Sequence, residues 1–166
     1  MSMTHKYTQK YTVVCFFTPQ KRSIDFAASD WPLHVTVLDT FKTSWRLDEL
    51  CAALAKVASS TTSFNTVPTK KTTLGENKDI PVKLLRLDAG MSALHTALLD
   101  LVEKGAFVFN TPEFVGAGFL PHVTNQGASQ VAVGKAYRLS GIALVDMFPR
   151  DDPMRRVVID TFNFNQ

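Results

Sequence analysis

The chain switches several times between apolar residues at every second position and apolar residues three or four apart, and these switches divide it into elements. Residues 11–18 are rich in β-branched and aromatic side chains and predict a first strand, stopped by Pro19. After a polar connection, residues 33–38 alternate: Leu33, Val35 and Val37 take one face, His34 and Thr36 the other. Ser44 is placed to cap a helix over residues 45–59, whose apolar stripe is Leu47, Leu50, Cys51, Leu54 and Val57. The Thr-rich residues 61–74 favour extended backbone, and the turn cluster 75–79 sends residues 80–87 back as an antiparallel partner. A second helix is predicted over residues 91–104, with Met91, Leu94, Leu98, Leu101 and Val102 as its stripe and Gly105 as its stop. Residues 106–118 read as a loop, 119–125 as a strand, 126–135 as a connection, and 136–147 and 155–164 as two closing strands. In the order β-β-α-β-β-α-β-β-β most neighbouring strands are joined without a helix. Antiparallel pairing should dominate, and the predicted class is α+β.

Composition narrows this picture only a little. A chain of 166 residues fits one domain or two small fused lobes, and 45% hydrophobic with 20% charged residues suits a sizeable globular core. We expect a flexible tail over residues 1–10 and a single domain over 11–166. A net charge of +3 does not by itself indicate a nucleic-acid surface, yet it is compatible with a phosphate-bearing ligand. Cys15, in an apolar strand, and Cys51, on a helix stripe, read as small core residues rather than as a disulfide or a metal pair. The apolar run 13–17 is too short for a secretory segment or a membrane span. The expected setting is cytoplasmic, with no membrane partner and no obligate protein partner.

The chemistry lies in a repeated triplet. Two of the four histidines stand in the same sequence, His34-Val35-Thr36 and His122-Val123-Thr124, each inside a β-prone run. In a strand, the His and Thr of such a triplet share one face, their Cα atoms roughly 7 Å apart, while the Val takes the other. Imidazole is the side chain whose ordinary pKa lets it give or take a proton near neutrality. Two of them across a cleft suit phosphodiester cleavage: one removes a proton from the attacking hydroxyl, the other delivers one to the leaving oxygen. Thr36 and Thr124 can donate to the non-bridging phosphate oxygens, where charge grows in the transition state. Neither triplet offers a third ligand at metal spacing, so no metal and no cofactor are expected. Among aromatics able to stack on a nucleobase, Phe17 and Trp31, which sit next to strand ends on the His34 side of the molecule, come ahead of Phe41, Phe119 and Phe148. Lys70, Lys71, Lys78, Arg155 and Arg156 read as solvated surface unless they rim the cleft. His95 reads as a helix-flank residue and His5 as part of the tail. Gly116-Ala117-Gly118 lacks the setting and the lysine of a phosphate loop.

The duplicated H-x-T triplet with this element order resembles the 2H (two-histidine) phosphoesterase superfamily, and within it the LigT-like, or 2′-5′ RNA ligase-like, branch. The likeness runs from about residue 11 to residue 164 and includes the opening strand Val14-Cys15-Phe16-Phe17, the hairpin from Gly75 to Leu85, and the helix around Leu94, His95 and Leu98. It implies two pseudo-symmetric lobes of antiparallel sheet with outer helices and an active cleft between the lobes. It also implies His34 and His122 as the acid–base pair and Thr36 and Thr124 as the phosphate-binding residues. The residue after the second Thr is usually apolar in the family, and here it is Asn125.

The reading that results is a metal-independent phosphodiesterase. Its substrate is a nucleotide, a cyclic (oligo)nucleotide or an RNA end carrying a cyclic phosphate or a 2′-5′ or 3′-5′ linkage. Two alternatives stand beside it: a module that binds RNA or a cyclic nucleotide without cleaving it, and a 2′-5′ RNA ligase. Specificity should come from residues 21–30, 66–80, 106–118 and 148–154.

Overall fold

The computed structural model describes residues 10–105, 107–124 and 130–166. His5, Asn125 and nearly all of the expected tail lie outside the described residues. Strand β1 (Tyr11–Phe16) is buried along its whole length, because both of its faces are covered. It lies in a six-stranded sheet of order β2-β11-β10-β1-β3-β7, with β2 (Asp25–Ala27), β3 (His34–Thr43), β7 (Phe107–Phe109), β10 (Gly141–Asp146) and β11 (Arg155–Asn163). A second sheet has three strands, β5 (Pro68–Leu74), β6 (Ile80–Leu85) and β8 (His122–Thr124), with β6 in the middle. The short strands β4 (Phe64–Thr66) and β9 (Tyr137–Leu139) form a separate pair. Among the described residues every ladder between these strands is antiparallel, and the class is α+β.

Two helices, α1 (Leu47–Ser59) and α2 (Ala89–Glu103), cover one face of the large sheet. Leu50, Leu54 and Ala58 from α1 and Met91, Leu94, Leu98 and Leu101 from α2 pack there on Val13, Cys15, Val35 and Val37. A smaller cluster of Val14, Phe16, Ala143, Val145 and Val158 lies apart from it, with Phe26, Trp31 and Met147 packed on top. Alternation along β1 explains the division: Val13 and Cys15 face the helices, Val14 and Phe16 the opposite side. Cys15 and Cys51 are unpaired thiols, and burial pushes the Cys15 pKa upward. Among the described residues, no helix is long and apolar enough to cross a membrane.

Several element boundaries differ from the sequence reading. The strand predicted to end at Leu38 continues as β3 as far as Thr43, where it pairs with β7. Two register shifts against β1 let the long strand bend, and they displace the alternation beyond Val37. Ser44 does not cap α1. The N-cap is Arg46, without a side-chain bond, and Asp48 and Glu49 place negative charge in the first turn. Helix α2 starts earlier than predicted because Asp88 caps it, its carboxylate accepting the Met91 N–H at 3.1 Å. Gly105 does not use a left-handed backbone to end that helix. Its lack of a side chain lets the Trp45 indole in, since a Cβ there would lie 2.1 Å from Trp45 Nε1. The supposed loops 21–30 and 106–118 contain β2 and β7, too short for a periodic pattern to reveal.

Candidate active site

Strand β8 is the outer strand of the small sheet and lies beside β3 of the large one. The two triplets thus meet where the sheets approach. In both, the central valine is buried, Val35 and Val123 at 0% and 1% exposure, and His and Thr are half-buried. His34, Thr36, His122 and Thr124 all line one cavity of about 310 Å³. Trp31, Phe119, Leu120, Phe114, Leu74 and Met147 supply its apolar walls.

The imidazoles are held in matching ways. His34 Nδ1 lies 2.9 Å from the Pro32 carbonyl oxygen, and His122 Nδ1 lies 2.9 Å from that of Leu120. A carbonyl only accepts, so Nδ1 carries the hydrogen in each ring. Nε2 is left as the ring atom able to exchange a proton. Each acceptor sits two residues before its histidine, so backbone geometry alone sets tautomer and orientation.

Their surroundings are unequal. The Trp31 indole packs on the His34 ring with centroids 4.3 Å apart and planes tilted by 30°. Phe16, paired with His34 across the β1–β3 ladder, meets the ring edge at 6.3 Å. Phe26 supports Trp31 from the side at 5.0 Å, and the Arg156 guanidinium lies 5.9 Å from the indole centroid. Burial pushes the His34 pKa down to about 4; the Pro32 carbonyl pulls it up, and the neighbouring His122 adds a further downward push. The last effect places the two rings within electrostatic reach of each other.

The other sequence candidates separate. Trp31 stands in the cavity wall against His34. Phe17 does not line the cavity; it packs edge-on to Tyr137 at 5.5 Å, against the main core. Phe41 is buried in that core, Phe119 lines the cavity, and Phe148 does not. Arg155 is engaged by Asp25. Sequence reasoning missed Thr12, Asp39, Thr40, Leu74, Phe114 and Met147 as lining residues. Asp39 and Thr40 reach the cavity through the register shifts in β3, which no periodicity announces. The polar groups of Asp39 and Thr12 are partly committed: the Asp39 carboxylate accepts the Thr111 N–H at 2.8 Å, and the Thr12 hydroxyl donates to the Leu38 carbonyl at 2.8 Å. Among the described residues no group of three or more His, Cys, Asp or Glu side chains is arranged to hold a metal ion.

Comparison with known proteins agrees with this architecture. The family model described as the 2′-5′ RNA ligase superfamily matches residues 9–156. Among solved structures, Escherichia coli LigT complexed with 3′-AMP is similar at 15% identity and a TM-score of 0.54, over 96% of this chain and 99% of that one. A structure described as a phosphoesterase gives 14% identity and 0.59 over 96% and 99%. TT0787 of Thermus thermophilus gives 16% identity and 0.58 over 93% and 97%. Identities this low speak for the fold alone. No curated protein matches the chain. The family match spans most of the sequence, and the LigT-like fold extends nearly end to end in the solved structures; the chain belongs to the 2′-5′ RNA ligase superfamily of two-histidine phosphoesterases, enzymes acting on phosphodiesters.

Proposed function

We propose that the protein hydrolyses a cyclic phosphate or a 2′-5′ or 3′-5′ phosphodiester of a nucleotide or RNA end by two-histidine acid–base catalysis. One observation carries the reading: two imidazoles, each with Nδ1–H given to a backbone carbonyl and a threonine two residues on, share a single cavity. One ring must start neutral and the other protonated, because one takes a proton and the other gives one in the same step. Trp31 and Phe16 shield His34, which makes neutral His34 the base and leaves His122 as the acid. His34 Nε2 takes a proton from water as the water oxygen bonds to phosphorus. The bond from phosphorus to the ribose oxygen breaks, and His122 gives that oxygen a proton. Thr36 and Thr124 donate to the non-bridging oxygens as their charge rises. The product is a phosphomonoester beside a free hydroxyl.

A nucleotide is supported as the ligand by the LigT complexes, which contain 3′-AMP, NADP+ and ATP. In ligation a ribose hydroxyl takes the place of water: its oxygen bonds to the phosphorus of a cyclic phosphate as one ring bond from phosphorus to ribose oxygen breaks, and the released oxygen is protonated. The family name keeps it as the second reading. The test is to incubate the protein with 2′,3′-cyclic nucleotides, cyclic oligonucleotides and 2′-5′ oligoadenylate in EDTA and to follow phosphorus NMR. New monoester signals that vanish in His34→Ala and in His122→Ala support the proposal. Saturable binding without turnover across the whole panel contradicts it and favours a binding module.

A further inference from the structure

A third imidazole lies outside the catalytic pair and is more deeply buried than either. His95 is 5% exposed and belongs to the inward side of α2, among Met91, Leu94 and Leu98. A polar ring on an apolar stripe is costly unless its nitrogens find partners. Both do. Nδ1 lies 2.9 Å from the Val37 carbonyl and must donate to it, and Nε2 accepts the Gly116 N–H at 3.0 Å. The ring face also stacks on Phe119, with centroids 3.8 Å apart and planes within 7°. Burial lowers its pKa, against the pull of the Val37 carbonyl, which suits a ring that must accept a hydrogen bond at Nε2.

The partners of this one ring come from both sides of the cleft. Val37 follows Thr36 in β3. Gly116 opens the turn that ends at Phe119, where the Phe119 N–H returns to the Gly116 carbonyl at 3.0 Å. Gly116 holds a φ of +73°, so this tight turn depends on a glycine. The next residue, Leu120, supplies the carbonyl that orients His122. A single side chain therefore fastens the strand of the first triplet to the segment leading into the second. We propose that His95 is a positioning residue that sets the separation of His122 from His34 by holding β3 at Val37 and the 116–119 turn together.

This rests on the reading of the paired imidazoles as the reactive centre, and two variants separate its parts. His95→Phe keeps a flat ring against Phe119 but leaves the Val37 carbonyl and the Gly116 N–H unpaired. His95→Gln has both a donor and an acceptor but no ring. For each we would measure thermal unfolding, kcat and KM on the substrate turned over by the wild type, and the His34 and His122 ring signals by ¹⁵N NMR. Misplacing a reacting group by about 1 Å can lower the rate about 10²-fold, so His95→Phe should lose kcat on that scale while KM changes less than about threefold. His95→Gln should recover part of the loss. The His122 ring signals should move in His95→Phe, although its own hydrogen-bond partner is untouched. A folded His95→Phe with kcat near wild type and unmoved His122 signals overturns the proposal. If His95→Phe does not fold, a folded His95→Gln with wild-type kcat and unmoved His122 signals overturns it equally. If the wild type cleaves nothing, the functional reading has failed, and the NMR signals alone still decide whether His95 positions His122.

Discussion

The two triplets have the same sequence and the same internal geometry, yet their supports differ. His34 opens a ten-residue strand of the six-stranded sheet, under Trp31 and beside Phe16. His122 opens a three-residue strand on the outer side of a three-stranded sheet, and no aromatic ring is stacked on it among the described residues. What the repeated triplets share is an Nε2 left open, with the tautomer set by a carbonyl two residues earlier. The surroundings decide how each differs. One ring is kept neutral by a hydrophobic cover, and the other is left closer to solvent.

The largest effect should come from removing either ring. His34→Ala or His122→Ala should each lower kcat by about 10²- to 10⁴-fold with the fold retained, as for the loss of a general acid or base. Unequal losses would show that one partner can be replaced by water, and His122, the more open ring, is where replacement should be easier. Next, Thr36→Val or Thr124→Val should lower kcat by about 10²-fold each, the scale for losing one donor to a transition-state oxyanion. Steady-state assays in EDTA check both sets.

The asymmetry itself is tested through pH. A base must be unprotonated to act, so the rate should rise with pH through the pKa of His34, about 4, and be close to full well below the ordinary imidazole value. Trp31→Leu exposes the ring and should move this acid limb upward toward about 6.5. If the limb of the wild type already lies near the ordinary value, Trp31 is not a shield. His34 also enters folding stability. Its pKa is lower in the fold than in the unfolded chain, so the unfolded chain binds more protons in the interval between the two. Stability should therefore fall as pH drops from about 6.5 toward about 4, with His95 adding in the same direction. Chemical denaturation at a series of pH values reads this slope. The smallest effect on turnover is expected at Phe17. Phe17→Leu should reduce stability by roughly 1 kcal/mol through looser packing on Tyr137 and leave kcat/KM nearly unchanged.

The contrast between Phe17 and Trp31 also shows what was legible in the sequence. Both sit next to strand ends on the His34 side, and no pattern says which turns inward. Strand alternation put His34 and Thr36 on one face and buried Val35 and Val37 on the other, because pleating imposes that period wherever a strand is regular. Where β3 shifts register, the same rule lost Asp39 and Thr40. Repeated triplets pointed to the site because their chemistry is local. Local periodicity reads His95 as a helix-flank residue, because the contacts that hold its ring lie at sequence separations of 58 and 21 residues. Lys83 is similar: it is 4% exposed in β6, and its ammonium is held by the Val131 carbonyl at 2.6 Å. Helix α1 began later than read because a serine before an apolar run is a common cap signal, and here the chain turns into the helix after it.

The central claim is that two distant imidazoles serve one phosphorus atom. It is tested most directly by titrating ¹⁵N-labelled protein with inorganic phosphate and following Nε2 of His34 and His122 in long-range correlation spectra. The account predicts that both signals move along a single binding isotherm and that His122→Ala weakens the response at His34. Movement of only one ring, or two independent isotherms, would contradict it.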